Sequence, residues 1–155
     1  DASGGSAGAA YVWGRSGNTW TEQACFKASN PHLQDLFGAN VAISRDGNTV
    51  LVGSAMEDSR ARGVNGEQQD DSATESGAAY LFRRSGTTWS QQAYIKAENA
   101  DEFDEFGTSV GVSGDGRRLI IGARMESGGA AGINGNQSDN STPQAGALYV
   151  WETTP

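Results

Sequence analysis

Short apolar runs separated by turn residues, with no sustained 3.6-residue apolar stripe, set the pattern of this chain. Across residues 40–44, Val41 and Ile43 alternate with other residues, as one face of a strand does. Val50-Leu51-Val52 is a continuous apolar run, the form expected of a strand covered on both faces. Asp46-Gly47 between them is a two-residue hairpin signal, because Gly tolerates positive φ. Residues 9–13 and 78–82 predict a third kind of strand, and Ser16-Gly17-Asn18 turns the chain into a fourth over 20–28. Trp20, Ala24 and Phe26 are expected to share one face of that fourth strand. No segment has helical periodicity with caps, so the chain is predicted to be all-β.

The pattern repeats after 69 positions without an insertion. Gly8-Ala9-Ala10-Tyr11 recurs as Gly77-Ala78-Ala79-Tyr80, Arg15-Ser16-Gly17 as Arg84-Ser85-Gly86, and Trp20 as Trp89. Phe37-Gly38 recurs as Phe106-Gly107, Asp46-Gly47 as Asp115-Gly116, Met56-Glu57 as Met125-Glu126, and Gly77-Ala78 as Gly146-Ala147. The second copy therefore supplies strands over 108–113, 119–121 and 147–151, and the fourth-strand pattern returns at 89–97. Four antiparallel strands per repeated unit, with a long polar loop after the second, describe a propeller blade.

Phe37-Gly38 followed by Val41-Ala42-Ile43-Ser44, Asp46-Gly47, Leu51-Val52-Gly53 and Gly77-Ala78-Ala79-Tyr80-Leu81-Phe82 resembles the FG-GAP repeat. Phe106-Gly107 to Gly122-Ala123, then Gly146-Ala147-Leu148-Tyr149-Val150-Trp151, resembles it a second time. The resemblance implies blades like those of the integrin α-subunit head and of related bacterial surface and secreted proteins. It also implies an extracellular or cell-surface location. With the blade starting at Phe-Gly, residues 1–36 are the last two strands of one blade, 37–105 a complete blade, and 106–155 the first three strands of the next. About two blades cannot close a ring that needs roughly four to eight. The chain is thus expected to be part of a longer propeller, or a subunit that completes a ring or filament with copies of itself. In head-to-tail joining, residues 146–151 would compete for the place of 8–13.

Two features depart from the family pattern. Calcium-holding repeats carry an Asp/Asn-rich loop between the first two strands, but here that connection is only Arg45-Asp46-Gly47-Asn48 or Gly114-Asp115-Gly116-Arg117. So few oxygens do not enclose a Ca²⁺ ion, which takes six to eight. The Gly-Ala-Pro triplet reads Gly53-Ser54-Ala55 and Gly122-Ala123-Arg124.

Candidate chemistry is concentrated in the long loops. Glu57, Asp58, Asn65, Gln68 and Asp70 in one copy, with Glu126, Asn134, Gln137 and Asp139 in the other, carry oxygens of the kind a hard cation takes. Such a loop would be a Ca²⁺ site; alternatively, the same Asn, Asp and Ser residues close turns on their own backbone. Trp20 and Trp89, at the start of the fourth strands, are the candidates for stacking on a sugar; strand aromatics otherwise serve packing. Gly107-Thr108-Ser109-Val110-Gly111 fits the nucleophile-elbow spacing of serine hydrolases but lies within a predicted strand, where an elbow does not form. His32 aligns with Asp101 in the second copy and reads as a surface residue. The repeated Asp35 and Asp104 are expected to cap the turn before Phe-Gly.

Composition narrows the class further. Lys and Arg total 11 against 19 Asp and Glu, a net charge of −8, so there is no basic face for nucleic acid. No apolar run reaches the ~18–20 residues of a membrane span. The single Cys25 excludes an internal disulfide framework. Asp1 to Ser6 has neither the charged nor the apolar region of a secretion signal, so any such signal is expected to have been removed. The sequence thus favours a non-enzymatic extracellular interaction or self-assembly module. A carbohydrate-binding propeller, meeting a glycan or surface protein, is the alternative, and an accessory region of a larger secreted enzyme a further one.

Overall fold

The computed structural model describes residues 7–153; residues 1–6, where the secretion-signal expectation falls, and 154–155 lie outside the described residues. The described residues are all-β. Strands β1 (Ala10–Ser16) and β2 (Thr19–Phe26) form a two-stranded sheet. Strands β3 (Asn40–Ile43), β4 (Thr49–Ser54), β5 (Ala78–Ser85) and β6 (Thr88–Ile95) form a four-stranded sheet in sequence order. Strands β7 (Phe106–Val112), β8 (Arg118–Ala123) and β9 (Ala147–Glu152) form a three-stranded sheet. All pairings between these strands are antiparallel. These are sheets of propeller-blade type that do not close a ring.

β4 and most of β5 in the middle sheet are buried on both faces, which explains why its second strand lacks alternation. Side chains point alternately to opposite faces of a strand. Val50, Val52, Tyr80, Phe82 and Tyr94 pack toward the first sheet, against Ala10, Phe26 and Phe37. Leu51, Ala79, Leu81 and Ile95 pack toward the third, against Phe106, Leu119, Ile121 and Ala123. The rings of Phe26 and Phe82 stack with centroids 4.3 Å apart, and Phe106 meets Tyr149 and Trp151 edge-on, both at 5.5 Å.

Two local expectations need correction. The fourth strands contain a bulge: Val12 pairs with Ala24 but Trp13 pairs with Glu22, and Leu81 pairs with Ala93 but Phe82 with Gln91. The extra residue, Gln23 or Gln92, reverses the face that follows it. Trp20 therefore lies opposite Arg15 on the other face from Ala24 and Phe26. The link between β3 and β4 is also wider than a two-residue turn, spanning 44–48. Asp46 accepts hydrogen bonds from Ser44 Oγ (2.5 Å) and Asn48 N (3.0 Å), and its side chain closes the larger loop.

Successive sheets meet where their backbones touch. Phe106 N donates to Ser76 O at 3.1 Å, and Gly77 forms a parallel bridge to Phe106, as Gly8 does to Phe37. The approach leaves no room for side chains. A Cβ on Gly77 would lie 2.1 Å from Phe106 O, and one on Gly107 would lie 2.2 Å from Ala78 O. Both residues also hold positive φ, +80° and +93°. Phe-Gly of one sheet and Gly-Ala of the preceding one are thus two halves of one junction.

Gly86 provides a control, because it has φ of +61° but nothing within 4 Å of a built Cβ. Gly86→Ala is expected to cost about 1 kcal/mol for backbone strain alone. Gly77→Ala should cost roughly 3 kcal/mol or more, since strain is joined by a clash with a carbonyl. Urea denaturation of the two variants measures the difference; equal losses would remove the junction from this role.

Candidate functional site

The end of β6 and the start of the 55–77 loop build a buried polar network around Glu57. Lys96 and Glu57 side chains are 0% and 1% exposed, with Nζ 2.7 Å from Oε2. Lys96 Nζ also donates to Ser59 O (2.5 Å) and Ser76 Oγ (2.6 Å). The other Glu57 oxygen accepts from Tyr94 OH (2.9 Å) and from Asn30 Nδ2 (2.8 Å), and the hydroxyls of Ser59 and Tyr94 bond to each other. Asn30 is held in turn by Tyr80 OH, which donates to its Oδ1 at 2.7 Å. Burial pushes the Lys96 ammonium below its ordinary pKa, while the Glu57 charge works against that shift. Carrying a lysine into such a core is tolerable because all three of its N–H groups find acceptors.

The loop does more than deliver Glu57. Asn65 N donates to Tyr94 O (2.8 Å), Tyr94 N donates to Asn65 Oδ1 (3.0 Å), and Lys96 N donates to Gly63 O (2.8 Å). Residues 63–65 therefore lie along the outer edge of β6 and pair it, protecting a strand edge that would otherwise recruit another strand. Asn65 holds φ of +56° to make this contact.

Other candidate calcium donors are similarly engaged. Asp58 Oδ1 accepts from Glu75 N, and Asp70 Oδ1 accepts from Ser72 N. Gln68 offers its carbonyl to Asn30 Nδ2 and its side-chain oxygen to Ser29 Oγ. In the second copy Asp139 Oδ1 takes Ser141 N, and Gln137 O takes Asn99 Nδ2. Among the described residues no three His, Cys, Asp or Glu side chains gather in a way that could hold a metal ion. As arranged, these loop residues close their own turns and tie the loop to the preceding sheet.

The second copy has the same framework, with three strands among the described residues. Asn99 Nδ2 donates to Glu126 Oε1 at 2.6 Å and Tyr149 OH donates to Asn99 Oδ1 at 2.9 Å, matching Asn30, Glu57 and Tyr80. Glu126 is 5% exposed and no donor reaches its Oε2, which has the Asp104 carboxyl as neighbour. Burial, then the neighbouring Asp104, push the Glu126 carboxyl up to about 7. Asp35, buried beside Glu57, is pushed up to about 6, chiefly by desolvation. Asp35 and Asp104 cap the turns before Phe-Gly as expected, accepting from His32 N (2.8 Å) and Asp101 N (2.7 Å).

The two sugar-stacking candidates occupy unequal surroundings. Trp89 packs on Phe26 at 5.3 Å and lies under the Arg84 guanidinium, which leaves it little face for a sugar. Trp20 is 60% exposed, with Arg15 5.9 Å above its ring. Sequence reasoning missed Lys96, Asn30, Asn99 and the tyrosines, although Lys27/Lys96, Asn30/Asn99 and Tyr80/Tyr149 are identities in the 69-residue echo.

Comparison with protein families agrees with this geometry: the FG-GAP repeat model matches residues 20–82 and 89–151. The chain belongs to the FG-GAP repeat family. Each FG-GAP match runs from a fourth strand through the third strand of the following sheet, β2–β5 and β6–β9, so the matched unit is offset by one strand from the hydrogen-bonded blade. The Phe-Gly and Gly-Ala elements fall within each unit, and the junction between blades joins one unit to another. No curated protein matches the chain. Among the described residues of this FG-GAP chain no helix is long and apolar enough to cross a membrane.

Two measurements check the network. Lys96→Met leaves the Glu57 carboxylate buried without its counter-charge and should cost about 3–5 kcal/mol in urea denaturation. Adding Glu57→Gln to that variant should recover part of the loss; no recovery would mean that the pair is not coupled. For Glu126, the folded pKa near 7 lies above the unfolded carboxylate value, so the native state binds the extra proton between about pH 4.5 and 7. This contribution to stability falls as pH rises through that window. Glu126→Gln should therefore raise Tm at pH 8 and leave it nearly unchanged at pH 4.5; the reverse pattern would contradict the assignment.

Proposed function

We propose that this chain is a non-enzymatic, extracellular interaction module that assembles blade to blade, with copies of itself or with further blades of the same kind. The observation that carries the reading is the contrast between its inner and outer sheet faces. Val110 packs against the core between the second and third sheets, whereas its counterpart Val41 is 57% exposed, because no strand of the described residues lies inside β1 to cover it. Tyr11 and Trp13 sit beside Val41 and Ile43 around a groove of about 480 Å³ at the edge of β1. At the other end, Ile120, Leu148 and Val150 of the third sheet are exposed, while Ala79 and Leu81, the counterparts of Leu148 and Val150, are buried. Large contiguous apolar patches mark association surfaces, and each outer face here repeats one side of an interface that the chain already makes internally.

The family supports a propeller-type repeat role, and the extracellular setting is inferred from it. The mass of the purified chain in solution, by light scattering across a concentration series, tests the proposal. It should rise above that of a monomer as concentration increases; a strictly monomeric, stably folded particle at every concentration would overturn self-assembly.

A further inference from the structure

The middle blade holds β6 in a slot with three contacts: β5 on one side, residues 63–65 on the other, and Glu57 at the end receiving Lys96. All three have counterparts around β9, without the strand between them. Among the described residues the outer edge of β9 pairs with no strand. Asn134 holds φ of +55°, as Asn65 does at +56°, and Gly132 holds +90° beside it, so the loop segment is already bent as it is around β6. Ile133, the counterpart of Val64, is 94% exposed. Glu126 stands 95% buried at the end of the slot, its Oε2 receiving no hydrogen bond from any donor and its carboxyl neighbouring that of Asp104.

From this juxtaposition we propose that the edge of β9, residues 132–134 and Glu126 form an acceptor site for an incoming antiparallel β-strand whose lysine seats on Glu126. The occupant is a strand of one sequence class, with Trp seven residues before Lys and an apolar residue next to Lys, as in Trp89 to Lys96 and Trp20 to Lys27. Charge complementarity selects it. The Glu126 carboxylate stands where Glu57 meets Lys96 in the middle blade, and no basic side chain of the described residues is hydrogen-bonded to it. Glu126 Oε2 and the Gly128 carbonyl correspond to two of the three acceptors of Lys96; Ala145 stands where Ser76 supplies the third. Main-chain pairing along β9 supplies affinity of the strand-addition kind, and the buried charge supplies selection.

The inference rests on the blade-to-blade reading but is tested apart from it. A fluorescent synthetic peptide with the sequence of residues 87–99 is titrated into the whole chain, in parallel with the same peptide carrying Met in place of its lysine. The lysine peptide should bind at least about tenfold more tightly, the size expected when one partner of a buried charge pair is truncated. The Glu126→Gln chain, shown to be folded by its circular dichroism, should bind the two peptides alike. Equal binding of both peptides to the unaltered chain, or no binding of either, would overturn the acceptor site, and this comparison needs no altered chain. A chain that stays monomeric yet prefers the lysine peptide would refute self-assembly and uphold the site; a self-associating chain without that preference would do the opposite.

Discussion

Contact between two stretches of backbone, Phe-Gly of one sheet and Gly-Ala of the sheet before it, governs how everything else in this protein is arranged. Side-chain packing alone tolerates many offsets between sheets. Two main chains in hydrogen-bond contact, with no Cβ able to intervene, fix one. Once Gly77 lies on Phe106, the Phe106 ring enters the core between the second and third sheets. The faces of β4 and β5 are then divided between two neighbours. A sheet of four short strands has too little apolar area to stand alone; here β4 and β5 are covered on both sides, while Val41 and Ile43 of β3 and Ile120, Leu148 and Val150 of the third sheet stay exposed.

The polar network works within that frame. Glu57 leaves β4 just after the junction strand and meets Lys96 at the end of β6, so one ion pair ties the inner part of the blade to its outermost strand. Asn30 and Gln68 extend the tie to the preceding sheet. A buried pair of this kind is weak evidence of added stability, because desolvation offsets much of the attraction. Its contribution is selective: a strand that arrives out of register, or without the lysine, leaves a charge stranded.

Much of this was legible in the sequence, for physical reasons. The 69-residue echo survives because identical junctions demand identical glycines and aromatics, so strand order and the Phe-Gly and Gly-Ala positions could be read directly. The bulge at Gln23 and Gln92 could not, since one extra residue in a strand leaves no mark in an apolar/polar pattern, and it moved Trp20 to the opposite face. The loops left two readings open. Glu57, Asn65 and Asp70 have the composition of cation ligands, yet the structure engages them with Lys96, the β6 backbone and an Asx turn. Residue type states what a side chain can bond to, but the partner of Glu57 lies 39 residues away and becomes its neighbour only when the blade closes.

Dependence of each sheet on its neighbours is the central claim, and native-state hydrogen exchange measures it strand by strand. If the claim holds, amides of β4 and β5, between two covered faces, exchange most slowly, and those of the β1–β2 sheet and of β9 exchange faster. Uniform protection across the three sheets, or slower exchange in β1–β2 than in β4–β5, would contradict it.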